Sequence, residues 1–472
     1  MSIDSHRVGI SAVRDAREHE RWTAITDHVA ATTAPASASA HDADVIIIGA
    51  GVIGAAVAYE LAQRGHRTLS IDTLPSAGYG STSCSSAIVR FSYSTRQGVA
   101  MSWEALHYWR NWSAYLGGHD DSPLVELVTC GMALLDTGNG LASKVQPHFD
   151  ALGVPYAYWD ADELARRVPL VDGRRMGPPA SVNSEDFWTE PGEPLPGAVW
   201  MPDAGYVNDP QLTARNLAHA AIRHGAQFRF ETRVVAINRG DGQVTGVTLA
   251  DGSTVSAPVV VNVAGPDSGR VNDLAGLADS MTIGTRPMRQ EVHHLPSPRS
   301  DGAPIGHLLV DEDTGIYVKP EAGGMLAIGS LEPACDELEW LDHPDAYRNT
   351  VTAEGWERQT LRLARRIPDL QIPNKPLGIV GIYDVADDWI PIYDRTDLDG
   401  FYVAIGTSGN QFKNAPLAGR VMAELIEAVE SGHDHDADPV HVRGRYTGTD
   451  IDLGFFSRNR EINRNSSFSV CG

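Results

Sequence analysis

Three glycines and one acid raise the first chemical question in this sequence. Gly49, Gly51 and Gly54 follow a β-branched run, Val45 to Ile48, and Asp72 closes the next apolar run. Glycines at this spacing let a strand turn sharply into a helix, let backbone approach a pyrophosphate and let the helix lie close on the strand. The helix N-terminus then offers N–H groups to phosphate oxygens, and the carboxylate of Asp72 is placed to hold a ribose hydroxyl and repel a 2′-phosphate. The chemistry implied is dinucleotide binding. Four lysines, Lys144, Lys319, Lys375 and Lys413, stand against thirty-four arginines, which narrows the candidates for lysine chemistry. Cys84, Cys130, Cys335 and Cys471 are scattered without a CxxC pair, so neither a disulfide framework nor a structural zinc site is expected. The run HDHDAD has metal-ligating residue types but no anchoring pattern; it reads as a solvated face, and no metal site is assigned.

The elements that must position these groups follow from the apolar pattern. Asp44 to Asp72 reads as strand, tight turn, helix and strand. Residues 1 to about 30 are polar, with a possible short helix around Ser11 to Ile25, and the small-residue stretch after them reads as a mobile arm and linker. Beyond Asp72 a Gly/Ser/Thr loop leads to a helical pattern whose Trp103, Tyr108, Trp109 and Trp112 are assigned to core packing. From Leu124 come strand-like runs, an acidic helix near Asp160 to Val168, and a Gly/Pro-rich passage from Gly173 to Pro202. Ala204 onward gives a turn, an amphipathic helix and a strand, then a meander with turns at Asp241-Gly242 and Asp251-Gly252, then a buried strand from Val259 to Pro266. Residues 285 to about 374 alternate as strands, followed by a long amphipathic helix that starts at His343 and ends before Pro368. The stretch from Gly400 to Val429 repeats strand, Gly turn and helix, and the tail from Gly432 is polar and mostly irregular.

Composition bounds the function. With 472 residues and 42% hydrophobic content the chain can bury a large core and is expected to form two domains. A formal charge of −23 repels phosphate backbones and acidic membrane surfaces, so no nucleic-acid partner is expected. No apolar run has the length of a membrane span and no basic-then-apolar leader pattern opens the chain, which predicts a cytoplasmic protein.

Taken together the motifs carry a family resemblance. The opening fingerprint, GSTSCSSAIVRFSY, GYVNDPQLTARNLAHAA, VVNVAGP, GIYVKPEAGG and GTSGNQFKNAPLAG occur in the order seen in FAD-dependent amine and amino-acid oxidoreductases. Over roughly residues 43 to 430 the chain resembles the group of glycine oxidase, D-amino-acid oxidase, sarcosine oxidase and dimethylglycine dehydrogenase. The resemblance implies an α/β fold: a Rossmann-like FAD-binding domain from segments 43–123, 203–284 and 375–432, and an inserted α+β substrate domain with a mixed or antiparallel sheet from 124–202 and 285–374. Residues 1–42 remain the arm and 433–472 a C-terminal tail. It also implies site residues. Gly49, Gly51, Gly54 and Asp72 would hold the ADP half, with Ser81 and Thr82 in the loop beside it. Val234 and Gly265 would lie on the adenine and pyrophosphate side, and Gly409, Asn410, Gln411, Phe412 and Lys413 at the flavin end. Arg90 and Lys413 match the cations that bind the substrate carboxylate in sarcosine oxidase, and Tyr317, Tyr383 and Trp389 are assigned to the pocket lining.

The activity so implied is oxidation of the C–N bond of a small amino acid or N-alkyl amino acid, by hydride transfer to flavin N5, to an imine that water hydrolyses. Electrons would then pass to oxygen, a quinone or a carrier protein. A lysine that favours the oxygen reaction in sarcosine oxidase aligns with Ala327, so oxygen is expected to be the slow acceptor; Lys319 is expected to face solvent. The flavin is expected to be non-covalent, with a link at Cys84 as the alternative. A 2-hydroxy-acid dehydrogenase and a non-catalytic FAD-bound assembly factor are the alternative readings.

Overall fold

A computed structural model describes residues 41–118, 123–277, 280–300 and 303–472. The possible helix at Ser11 to Ile25 lies outside them.

The glycine fingerprint sits at the centre of a six-stranded sheet. Its order is Ile392–Arg395, Phe401–Ile405, Val259–Asn262, Val45–Ile48, Thr68–Ile71 and Gln227–Arg229, parallel except for the first pair. The strands Val45–Ile48 and Phe401–Ile405 read as unbroken apolar runs because both faces are covered. The helix Val52–Gln63 crosses one face between the helices Pro210–Arg223 and Ala415–Glu430. Gly419 permits the second contact: a Cβ there would lie 2.6 Å from the Ala56 backbone. Trp103, Tyr108, Trp109 and Trp112 are buried in this core. The meander Val234–Gly240, Gln243–Leu249 and Thr254–Ser256 forms a separate antiparallel sheet, with the Asp241-Gly242 turn in positive φ at both residues, as a two-residue hairpin requires.

A nine-stranded sheet carries the other half of the molecule. Its path is Glu339–Trp340, Thr285–Pro296, Met325–Ser330, Ile316–Glu321, Leu308–Asp311, Met132–Asp136, Gly197–Met201 and Ala157–Asp160. The ninth strand, Gly378–Ala386, pairs along Thr285–Pro296 from Thr285↔Ala386 to His293↔Gly378. Residues 378–386 were expected within the 375–432 cofactor segment; they belong instead to this sheet. One face packs Ala133, Leu135, Leu309, Val318 and Ile328 against Trp356 and Leu363 of the helix Ala353–Arg366. The opposite face turns Met132, Leu308, Val310, Tyr317 and Leu331 toward the fingerprint.

Two further expectations differ from the structure. The helix predicted from His343 starts only at Ala353, capped by Thr352 Oγ1 accepting from Gly355 N–H at 3.0 Å. Buried Arg289 explains the delay: its Nε and Nη2 each donate at 2.8 Å, to the carbonyls of Arg348 and Thr350, which holds that stretch out of the helical ladder. The tail, whose HDHDAD run reads from sequence as a solvated face, is the second. It is mostly irregular but well anchored: buried Arg458 pairs with Asp394, Asp397 and Asp436, and His435 of the HDHDAD run is buried 3.3 Å from Asp394.

Candidate active site

The site begins at the glycine turn. Gly49 holds φ at +112°, and a Cβ there would lie 2.4 Å from the Val263 carbonyl oxygen. A Cβ on Gly54 would meet the Gly49 carbonyl at 2.1 Å, so only glycine lets the helix lie on the strand end. Gly51 lines the groove, its nearest neighbour on the Cβ side being Thr82 Oγ1 at 3.3 Å. Thr82 Oγ1 accepts from Val52 N–H at 3.0 Å, and Ser81 Oγ donates to the Ile382 carbonyl at 2.7 Å, which ties this loop to the large sheet. Asp72 accepts from Ala50 N–H at 2.7 Å and from Leu74 N–H at 2.9 Å. Burial pushes its carboxyl up, against the pull of these N–H groups. The acceptor capacity these N–H groups leave is available to a hydroxyl. Asp72, Val234 and Gly265 line one end of the groove.

Gly51, Ser81, Thr82, Cys84 and Gly265 also line the second cavity, which continues to Gly409, Asn410, Gln411, Phe412 and Lys413. One groove therefore joins the two strand-Gly-helix units. Gly409, at φ +68°, lies under the Tyr383 ring, where a Cβ would come within 2.4 Å. The Asn410 carbonyl accepts from Tyr93 Oη at 2.5 Å and from Lys413 Nζ at 2.6 Å. Gln411 Oε1 accepts from Asn414 and Tyr393, and Phe412 stacks on Trp109 with ring centroids 5.7 Å apart.

Arg90 and Lys413 are brought together at this end. Arg90 is buried, donates from Nη1 to the Ser92 carbonyl and from Nη2 to the Val470 carbonyl at 2.6 Å, and lies over the Tyr93 ring. Lys413 Nζ also reaches Tyr93 Oη at 3.1 Å. Burial, and then the Arg90 charge, hold Lys413 well below the usual lysine range. Among the described residues, neither cation meets a carboxylate within ion-pair distance. Opposite them the wall is largely apolar: Met132, Leu308, Val310, Val292 and Leu331, with Gln290 and Tyr317, whose hydroxyl is 3.0 Å from Ser86 Oγ.

Two placements correct the expectations. Trp389 does not line the cavity; at φ +61° it packs with Met288 and Val385 in a small separate cluster. Lys319 does not face solvent. It is buried, donates to the Ser86 carbonyl at 3.0 Å and pairs with Glu321 at 2.8 Å. Alternation from Tyr317 puts Lys319 on the same face of its strand, a signal the sequence contains. Residues without a local signal are the buried acid Asp384, which lines the cavity, and the half-buried Glu332, which accepts from Gln290 at 3.2 Å, together with Val470 and Cys471 from the tail. Burial pushes Asp384 up to about 7 and Glu332 up to about 8.

A largely parallel nucleotide-binding sheet and a mixed, mostly antiparallel sheet face one another across the groove, the arrangement of a dinucleotide-binding protein. Residues 44–425 match the model of the FAD dependent oxidoreductase family (DAO), and the chain belongs to that family. The glycine oxidase of Geobacillus kaustophilus is 27% identical over 412 residues, 84% of this chain and 95% of that one. Sarcosine oxidase subunit beta of Rhodobacter capsulatus is 24% identical over 391 residues, 81% and 84% of the two chains. The crystal structure of glycine oxidase from Geobacillus kaustophilus shares the fold, with a TM-score of 0.67 at 22% identity, covering 90% of this chain and 100% of the other.

The groove fits the cofactor this family uses. Gly51 and Gly265 present backbone without a side chain, and a Cβ on Gly265 would have no neighbour within 4 Å, so the chain there leaves space for an extended ligand.

Proposed function

We propose that this FAD-dependent oxidoreductase acts on a CH–NH group, oxidising a small amino acid or N-alkyl amino acid whose carboxylate is held by Arg90 and Lys413. The observation that carries the reading is the pair of buried cations in one cavity, neither of which, among the described residues, meets a carboxylate within ion-pair distance. Desolvated like charges repel, and a carboxylate entering between them relieves that repulsion while taking charge-assisted hydrogen bonds. FAD, when bound, supplies the acceptor for the two electrons and the hydrogen lost from the substrate carbon. Gly49, Gly51, Thr82 and Asp72 would hold its ADP portion, and Gly409 to Phe412 its other end. Arg90 and Lys413 fix the substrate carbon in place, and the apolar wall of Met132, Leu308 and Val310 excludes water. The amine must lose its extra proton first, because a protonated nitrogen has no lone pair to stabilise the developing C=N bond. Water then hydrolyses the imine.

The flavin is held non-covalently and oxygen is the slow acceptor in this reading. Ala327 offers no charge, and the Lys319 ammonium is already paired with Glu321. One anaerobic series tests the whole reading: bound flavin is followed by absorbance with a panel of amino acids, N-methyl amino acids, simple amines and 2-hydroxy acids. Bleaching by amino acids is the expected result, followed by slow recovery in aerated buffer and release of the flavin on acid precipitation. Bleaching only by hydroxy acids, or by nothing in the panel, would sink the reading.

A further inference from the structure

The tail beyond the family-matched residues reaches the cavity. Val470 and Cys471 line it beside Arg90 and Lys413, although the match ends at residue 425. Val470 is clamped through both of its backbone groups. Its N–H donates to Glu332 Oε2 at 2.9 Å, and its carbonyl accepts from Arg90 Nη2 at 2.6 Å. Two residues on, the Gly472 main-chain oxygen accepts from Ser94 N–H at 3.1 Å and from Ser94 Oγ at 2.6 Å. Gly472 has φ +79°, and a Cβ there would meet the Tyr93 ring at 2.3 Å. The segment is thus seated between the loop that carries Arg90 and the turn that carries Glu332.

We propose that residues 468–472 form a strap that sets the room beside the carboxylate anchor, with Val470 as a specificity-determining residue and Glu332 as a positioning residue acting through it on Arg90. The proposal rests on reading Arg90 as that anchor. The Arg90 guanidinium has five N–H donors and a planar geometry, so a carbonyl held on one terminal nitrogen fixes the plane in which the remaining donors meet a ligand. Glu332 holds that carbonyl's residue, and Gln290 on the cavity wall is tied to the same acid. The Val470 side chain then decides how much apolar bulk fits next to the bound carboxylate. An over-packed wall excludes methyl groups, and a truncated one admits them.

The test is binding, read from the visible absorbance of the FAD holoenzyme titrated with acetate and with 3-methylbutanoate, two carboxylates that differ in apolar bulk and carry no amine to oxidise. Val470→Phe should weaken 3-methylbutanoate about tenfold relative to acetate, and Val470→Ala should shift the ratio the other way. Glu332→Ala should weaken both ligands about tenfold, with most of the loss restored in Glu332→Gln, which keeps a carbonyl acceptor for Val470 N–H. A ratio unchanged in whichever Val470 variants retain FAD overturns the strap, as does a Glu332→Gln variant no better than Glu332→Ala. Arg90→Ala separates the layers. If it leaves both affinities intact, the anchor reading fails and the strap with it; if it weakens both while the Val470 ratio stays fixed, only the strap fails.

Discussion

Arg90 and Lys413 gain their meaning from what surrounds them. An arginine on an exposed loop would pair with an acid worth at most about 1 kcal/mol, whereas these two are buried together against carbonyls and one tyrosine ring. Lys413 is held below its ordinary range by burial and by Arg90, so a bound carboxylate raises its pKa. Binding of a carboxylate therefore takes up protons between the pKa of the empty cavity and that of the complex, and affinity falls as pH rises through that window. Calorimetry in buffers of different ionisation enthalpy should show this uptake, and Lys413→Met should abolish it; equal uptake in both would contradict the assignment. Gly51 makes a second prediction at this scale. Gly51→Asp places a carboxylate where phosphate is expected, so the variant should lose bound FAD and melt close to the native apoprotein. Gly54→Val is the less specific variant, because its side chain would strike the Gly49 carbonyl itself.

At the scale of elements, the strand Gly378–Ala386 joins the two halves of the site. Asp384 on it accepts from Gly406 N–H at 2.6 Å, and its own carbonyl accepts from Ser408 N–H at 2.7 Å, so the large sheet holds the second Gly turn in place. Burial raises Asp384 from 3.8 to about 7. Between those values the folded chain binds more protons than the unfolded one, so this group's contribution is full at low pH and is lost as pH rises toward 7. Asp384→Asn should flatten that fall in apoprotein stability measured by denaturant across the same window; an unchanged slope would place the buried charge elsewhere. The sequence made the two strand-Gly-helix units legible because their chemistry is local: positive φ, close backbone approach and apolar periodicity lie within a few dozen residues. The helix start at Ala353 and the pairing of Gly378–Ala386 were not legible, since the first depends on Arg289 and the second on a register nearly a hundred residues away. Lys319 was legible in part. Alternation gave its face, but the pairing with Glu321 and the Ser86 carbonyl needed the fold.

At the scale of the whole molecule, the site is a seam. The six-stranded sheet supplies the glycine turn, the nine-stranded sheet supplies an apolar wall, and the tail supplies Val470 and Cys471. No helix among the described residues is long and apolar enough to cross a membrane. The tail's composition is polar, which is why its reach into the cavity was not readable from sequence; Arg458 and its three aspartates carry it across the parallel sheet's edge strand first. What unites the seam is the claim that a substrate carboxylate bridges it at Arg90 and Lys413. The most direct measurement is the anaerobic rate of flavin reduction for an amino acid and for the matching amine without the carboxylate, in the native chain and in Arg90→Ala. The account predicts that Arg90→Ala lowers kcat/KM for the amino acid by about tenfold or more, and changes the amine by less than about twofold. Equal losses for both substrates, with FAD fully bound, would contradict it.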